Sequence, residues 1–197
     1  MMVVRFREVL QFRIFLHGVQ PLVWRRIRVP SDFTLARLHR VIQAVMDWQD
    51  YHLHEFTIAG RVYSVPDPDY DGDREVVDDR TVRLRDLSLS AGDHLEYLYD
   101  FGDNWQHALE LEEVLQGDAD DIGPLCLEGE CSTPPEDVGG ISGYEEFLEA
   151  LSDPDHEEHD HMVSWVGQPF DPGRFSVEAA NVRLRKKFRP RKTTQET

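Results

Sequence analysis

Two short stretches of alternating hydrophobicity, followed at once by a helical period, constrain this chain's fold more than any other feature. Residues 10–17 set Phe12, Ile14 and Leu16 on one face, and residues 23–29 set Val23, Ile27 and Val29 inward. Gly18-Val19-Gln20-Pro21 between them is a turn signal, so the pattern predicts an antiparallel hairpin. Ser31-Asp32-Phe33-Thr34 then offers capping chemistry. Leu35, Leu38, Ile42, Val45 and Met46 recur at helical spacing up to about Trp48. A hairpin feeding an amphipathic helix is the opening of an α+β domain in which a helix lies on a sheet.

Beyond the helix, residues 53–58 and Arg61–Val65 read as strands joined at Ala59-Gly60, and residues 66–80 as an acidic loop. Leu84 and Leu87 begin a short turn. Ala91-Gly92-Asp93 opens a strand over 94–99, and Gly102-Asp103-Asn104 turns the chain into another over Gln106–Glu112. This order suits a β-grasp-like mixed sheet with one packed helix, an analogy of fold that carries no function. Residues 117–142 are rich in Gly, Pro, Asp and Glu and read as ordered loop, with helices expected over Gly143–Leu151, His156–Val166 and Val177–Phe188. The expected organisation is a core over 1–116, a loop and helical extension over 117–190 packed on it as one domain, and a disordered tail over 191–197.

Charge narrows the partners. The chain carries −17 over 197 residues. Its last fifteen residues hold seven of the 21 basic and one of the 38 acidic side chains, which leaves residues 1–182 with 14 basic against 37 acidic, a net −23. Such a body repels nucleic-acid phosphate and anionic membrane, so DNA contact is expected only through the basic C-terminal tail. No apolar run approaches the ~20 residues of a membrane span. Arg5, Arg7 and Glu8 interrupt the first apolar residues, which does not suit a signal peptide. The cysteines, Cys126 and Cys131, fit a reducing compartment, and the cytoplasm is the expected location.

Several strings are more specific than any period: Pro21-Leu22-Val23-Trp24-Arg25-Arg26, Leu38-His39, His52-Leu53-His54-Glu55-Phe56, Tyr99-Asp100-Phe101-Gly102-Asp103-Asn104-Trp105-Gln106-His107, Pro134-Pro135-Glu136-Asp137-Val138-Gly139-Gly140, and Gly143-Tyr144. Across about residues 9–188 the chain resembles the plasmid pRiA4b ORF-3-like family, whose members are also labelled as passenger "TnpR" proteins of insertion elements. The resemblance implies residence on plasmids and mobile elements and a compact α+β domain, and brings no activity with it. The label suggests a resolvase, which the residues do not support. The first serine, Ser31, sits in a helix cap, and no set of Arg, His and Tyr matches a tyrosine recombinase.

Five constellations are chemically suggestive. Asp100, Asp103, Trp105 and His107 surround a tight turn, with His52 and His54 on a neighbouring strand. The aspartates suit a divalent cation or the orienting of a histidine, or else simply bond turn amides over a tryptophan-covered core. Cys126 and Cys131 are half a zinc site at the edge of the usual spacing, to be completed by His156, His159 or His161. The Pro-Pro and Gly-Gly pairs around Glu136 and Asp137 hold those carboxylates rigidly, for a ligand, a cation or a basic group, or as backbone caps. Asp67, Asp69 and Asp71 match the start of a calcium loop, but Pro68, Arg74 and the lack of flanking helices favour a solvated acidic loop. His156, His159 and Asp160 share a helix face, better read as a polar exposed one.

No complete catalytic motif is present. The first reading is therefore a non-enzymatic accessory module with a protein partner. The second is a metal-dependent hydrolase, with zinc or calcium, using His52, His54, Asp100, Asp103 and His107. The sharpest expectation is geometric: the turns 100–107 and 134–140 lie together, with His52 or His54 beside them, around one polar concavity.

Overall fold

A computed structural model describes residues 6–118 and 123–188. The expected tail over 191–197 and residues 119–122 of the expected loop lie outside the described residues. The hairpin is present as β1 (Phe6–Leu16) and β2 (Trp24–Pro30), paired antiparallel with Phe12 opposite Ile27 and Ile14 opposite Arg25. Alternation then sends Leu10, Phe12, Ile14, Leu16, Arg25, Ile27 and Val29 to one buried face.

Helix α1 (Leu35–Met46) lies on that face. Thr34 caps its start by accepting the Arg37 N–H, and Asp47, in the left-handed region, ends it with an N–H donated to the Gln43 carbonyl. Leu38, Ile42 and Val45 are fully buried, as the helical period predicts. The remaining elements are β3 (His54–Ile58), β4 (Arg61–Ser64), α2 (Pro68–Asp71), β5 (Val76–Asp78), a 3-10 turn over Leu84–Leu87, β6 (His94–Tyr99), β7 (Trp105–Asp118), β8 (Leu125–Glu130), α3 (Gly140–Ser152), α4 (His159–Val166) and α5 (Val177–Lys187).

All eight strands form one sheet in the order β5-β4-β3-β6-β7-β1-β2-β8. The fold is thus α+β with a mixed sheet, in which the parallel pair among the described strands is β4 with β5, near one edge. The specific grasp-like description is not confirmed: β1 is flanked by β2 and β7, both antiparallel to it.

The sequence reading of 117–142 as loop needs correction at β8. It pairs antiparallel with β2, but a register shift between Arg26 and Ile27 breaks its alternation. Helix α5 closes over α1 and β8. Asn181 accepts the Cys126 N–H and donates to the Cys126 carbonyl, both at 2.8 Å. Arg183 donates to the Ala44 carbonyl at 2.7 Å. The sheet's other face is charged and polar, with Arg26 paired to both Glu112 and Glu128. No helix among the described residues is long and apolar enough to cross a membrane.

Candidate functional site

The two turns that the sequence singles out do meet. Strand β6 ends at Tyr99, and Asp100 follows in the left-handed region at φ 56°. Its Oδ1 accepts the N–H groups of Gly102 at 2.9 Å and Asp103 at 3.3 Å, a side-chain turn of the kind aspartate favours. Asp103 reaches across to the second turn, where its Oδ2 accepts the Gly139 N–H at 3.2 Å. Gly140, at φ 69°, is pressed so close that a Cβ there would stand 2.7 Å from the Asp103 carbonyl oxygen. Only glycine fits both the angle and the contact.

His52 sits at this junction. Its Nε2 is 3.1 Å from Asp137 Oδ1 and 3.5 Å from Asp100 Oδ2. These three residues are the group among the described His, Cys, Asp and Glu whose ligand atoms converge, all within 4.8 Å of one another. Glu136 faces the other way. It accepts the Tyr99 hydroxyl at 2.6 Å and the Gln49 N–H at 3.0 Å. Burial, and then this carboxylate, push the Tyr99 phenol well above its ordinary range.

His54, His107 and Trp105 are not at this junction. His54 and His107 do share a sheet face, but it is the face covered by α1, so both are buried. Burial pushes the His107 imidazole down to about 3, which keeps it neutral. Its Nδ1 donates to the Trp105 carbonyl at 3.0 Å. Trp105 is fully buried and stacks towards Trp48.

His54 belongs to a group that sequence reasoning missed. Its ring lies flat on that of His39, with centroids 3.6 Å apart. Each histidine has its own carboxylate, Asp79 at 2.9 Å for His54 and Asp50 at 2.6 Å for His39. The Tyr97 hydroxyl binds His39 and Gln43. Burial, partly offset by Asp50, lowers the His39 pKa. The available signal was a histidine inside the apolar stripe of α1; its partners, drawn from separate elements, left none.

The other metal candidates do not assemble. Cys126 points into the core from β8, where burial raises its thiol to about 11, and Cys131 offers its carbonyl to Arg25. Neither converges with a histidine: His159 bonds the Ala150 carbonyl and His156 accepts the Glu158 N–H. In the acidic loop, Pro68 opens the short helix α2 and Asp67 caps it, accepting the Asp69 N–H, while Asp71 accepts the Asp67 N–H. Asp67 and Asp71 are engaged by backbone, and Asp67, Asp69 and Asp71 are not among the described residues whose ligand atoms converge.

A cleft of about 630 Å³ opens beside the junction, at the seam between α1, the 132–136 segment and the α4–α5 connection. Its walls carry Trp48, Trp165, Phe170 and Phe175 with Arg25, Arg174 and Arg183. Trp165 is 42% exposed. Arg183 pairs with Asp47 at 3.1 Å. Arg25 is 1% exposed and gives its five N–H groups to neutral acceptors: the carbonyls of Val45, Trp24, Glu130 and Cys131, and the Thr133 hydroxyl. Phe175 lies 3.7 Å from its guanidinium.

The fold and these features define an α+β protein built on one antiparallel-dominated sheet, with a cleft where its C-terminal helices meet the helix on that sheet. The chain belongs to the plasmid pRiA4b ORF-3-like protein family, whose model matches residues 8–179. It is 40% identical over 160 residues to the uncharacterized protein y4hQ of Sinorhizobium fredii (strain NBRC 101917 / NGR234), covering 81% of each chain. It also matches the crystal structure of MM3350, a protein of unknown function from Methanosarcina mazei Go1, at 38% identity and a TM-score of 0.78, over 88% of this chain and 98% of that one.

Proposed function

We propose that this protein is a non-enzymatic binding module of the cytoplasm, carried by plasmids and mobile elements, that takes a segment of a protein partner into the cleft between α1 and the C-terminal helices. One observation carries the reading: a half-exposed Trp165 stands with Phe170 and Phe175 beside Arg174, which has no ion pair among the described residues. Aromatic walls with an arginine at the rim suit an apolar anchor next to a carboxylate, the combination that dominates protein-binding hot spots. The core and its C-terminal extension act here as one unit, because each supplies a wall. An acidic body disfavours nucleic acid as the occupant. For the hydrolase reading, burial of His54 and His107 leaves His52, Asp100 and Asp137 as the donors within reach of one another.

Panning the purified protein against a random peptide library tests this. Enriched peptides should pair an apolar residue with an acid, and Trp165→Ala should weaken them by about thirtyfold, the effect of a 2 kcal/mol hot spot. Peptides that bind Trp165→Ala and Arg174→Glu as well as the wild type would place recognition elsewhere.

A further inference from the structure

We infer that His52, Asp100 and Asp137 form a mononuclear site for a divalent cation of the zinc class. This goes beyond the cleft reading and does not rest on it.

The donor spacing is the first ground. Two bonds of about 2.05 Å at the tetrahedral angle set their ligand atoms about 3.3 Å apart. The distances from His52 Nε2, 3.1 Å to Asp137 and 3.5 Å to Asp100, bracket that value. The second ground is what these atoms do not do. His52 Nε2 is shut from solvent, yet neither carboxylate meets it with hydrogen-bond geometry. A ring nitrogen held between two carboxylates without bonding either is placed as a ligand is placed, and the three ligand atoms lie within 4.8 Å of one another.

Asp100 supplies the third ground. The residue is only 7% exposed, and its two oxygens are divided. Oδ1 is spent on the Gly102 and Asp103 amides, which fixes the rotamer, while Oδ2 is aimed at His52. Asp137 approaches from the opposite turn and is 67% exposed on its side chain. Three protein donors, one of them at the surface, leave a coordination position for water or for a partner's group. An imidazole donor among so few oxygens selects zinc-like ions over calcium and magnesium, which take more oxygen ligands. The ion would join three segments: the residues before β3, the turn after β6 and the loop before α3.

The full chain, stripped with chelator, is titrated with Zn²⁺ and Ca²⁺ by calorimetry and with Co²⁺ by visible absorption. The expected result is one Zn²⁺ per chain, weaker Ca²⁺, and a Co²⁺ spectrum of tetrahedral intensity. His52→Ala and Asp137→Asn should each weaken Zn²⁺ by at least about tenfold, since even second-shell changes cost that much. Asp137 sits at φ 60°, an angle asparagine also tolerates, so that variant keeps the turn. Cys131→Ser should bind as the wild type does. The assignment falls if wild type binds no Zn²⁺ saturably, if Ca²⁺ binds more tightly than Zn²⁺, or if His52→Ala and Asp137→Asn both retain full affinity.

Discussion

Replacing Arg25 by methionine should destabilise the protein by about 3–5 kcal/mol, at the upper end for a single substitution, because it breaks a buried hydrogen-bond network. The five N–H groups of Arg25 tie the end of α1 (Val45, 3.0 Å) to β2 (Trp24, 2.8 Å), to β8 (Glu130, 2.6 Å) and to the 131–133 segment (Cys131, 2.9 Å; Thr133, 3.1 Å). Methionine fills much of the volume but answers none of these acceptors. Each acceptor left without water costs roughly 1–3 kcal/mol. An opposing effect limits the loss. Burial depresses the guanidinium pKa to about 10, so holding this charge inside costs on the order of 3 kcal/mol, which methionine relieves. Bonds from a charged donor contribute about 1.5–3 kcal/mol each, so five outweigh that relief. Urea unfolding followed by circular dichroism should show the midpoint falling at constant slope. For a domain of this size the melting temperature should drop by roughly 6–20 °C. Lysine, with three donors on a compact head, should recover only part of the difference. A methionine variant within about 1 kcal/mol of wild type would refute the claim that Arg25 holds β8 and the 131–133 segment to the core.

Other outcomes follow from the same geometry. Leu38→Ala empties a fully buried site under α1 and should cost about 2–5 kcal/mol in urea unfolding. Gly140→Ala puts a methyl 2.7 Å from the Asp103 carbonyl at a positive φ; it should cost over ~1 kcal/mol and weaken Zn²⁺ binding by separating the turns, and unchanged values for both would contradict the contact. Acid should destabilise the protein through its buried histidines. Burial lowers both the His107 pKa, to about 3, and the His39 pKa, so the unfolded chain binds more protons below pH 6.5. The stability is complete above that pH and falls as pH drops below it, for His107 down to about pH 3, by up to about 1.4 kcal/mol per pH unit for each group while it lasts. Urea midpoints equal at pH 7 and pH 5 would exclude this, and His107→Asn should flatten the slope.

The hairpin, α1, β3, β4, β6 and β7 were legible because alternation or a helical period marks them, whereas α2 and β5 fall inside the 66–80 stretch that reads as an acidic loop. Strand β8 was not, because the register shift next to Ile27 interrupts its alternation and prolines and glycines crowd the residues after it. Helix α4 begins at His159 and not at His156, since the 153–158 stretch closes turns of its own. At the site, the meeting of the two turns was readable from residues that ordinary turns do not require, and of the two histidines expected beside them, His52 or His54, it is His52 that lies there. His54 and His107 misled because a period of two says which residues share a face but not which face a helix will cover. The carboxylates paired with the buried histidines, Asp50 and Asp79, could not be read at all: their histidines come from a helix and a strand that only folding brings together.

The pairing of Asn181 with Cys126 has a consequence for self-association. A carboxamide that both donates to and accepts from one strand residue imitates the next strand of a sheet. It occupies the backbone groups of Cys126, among those through which a second copy would add itself to β8. The opposite border, β5, is only three residues long. Neither border therefore offers an incoming chain a long and fully free template. The blockade at β8 is conditional on α5 staying seated, which makes a loosened C-terminal helix an aggregation hazard before it is a loss of fold.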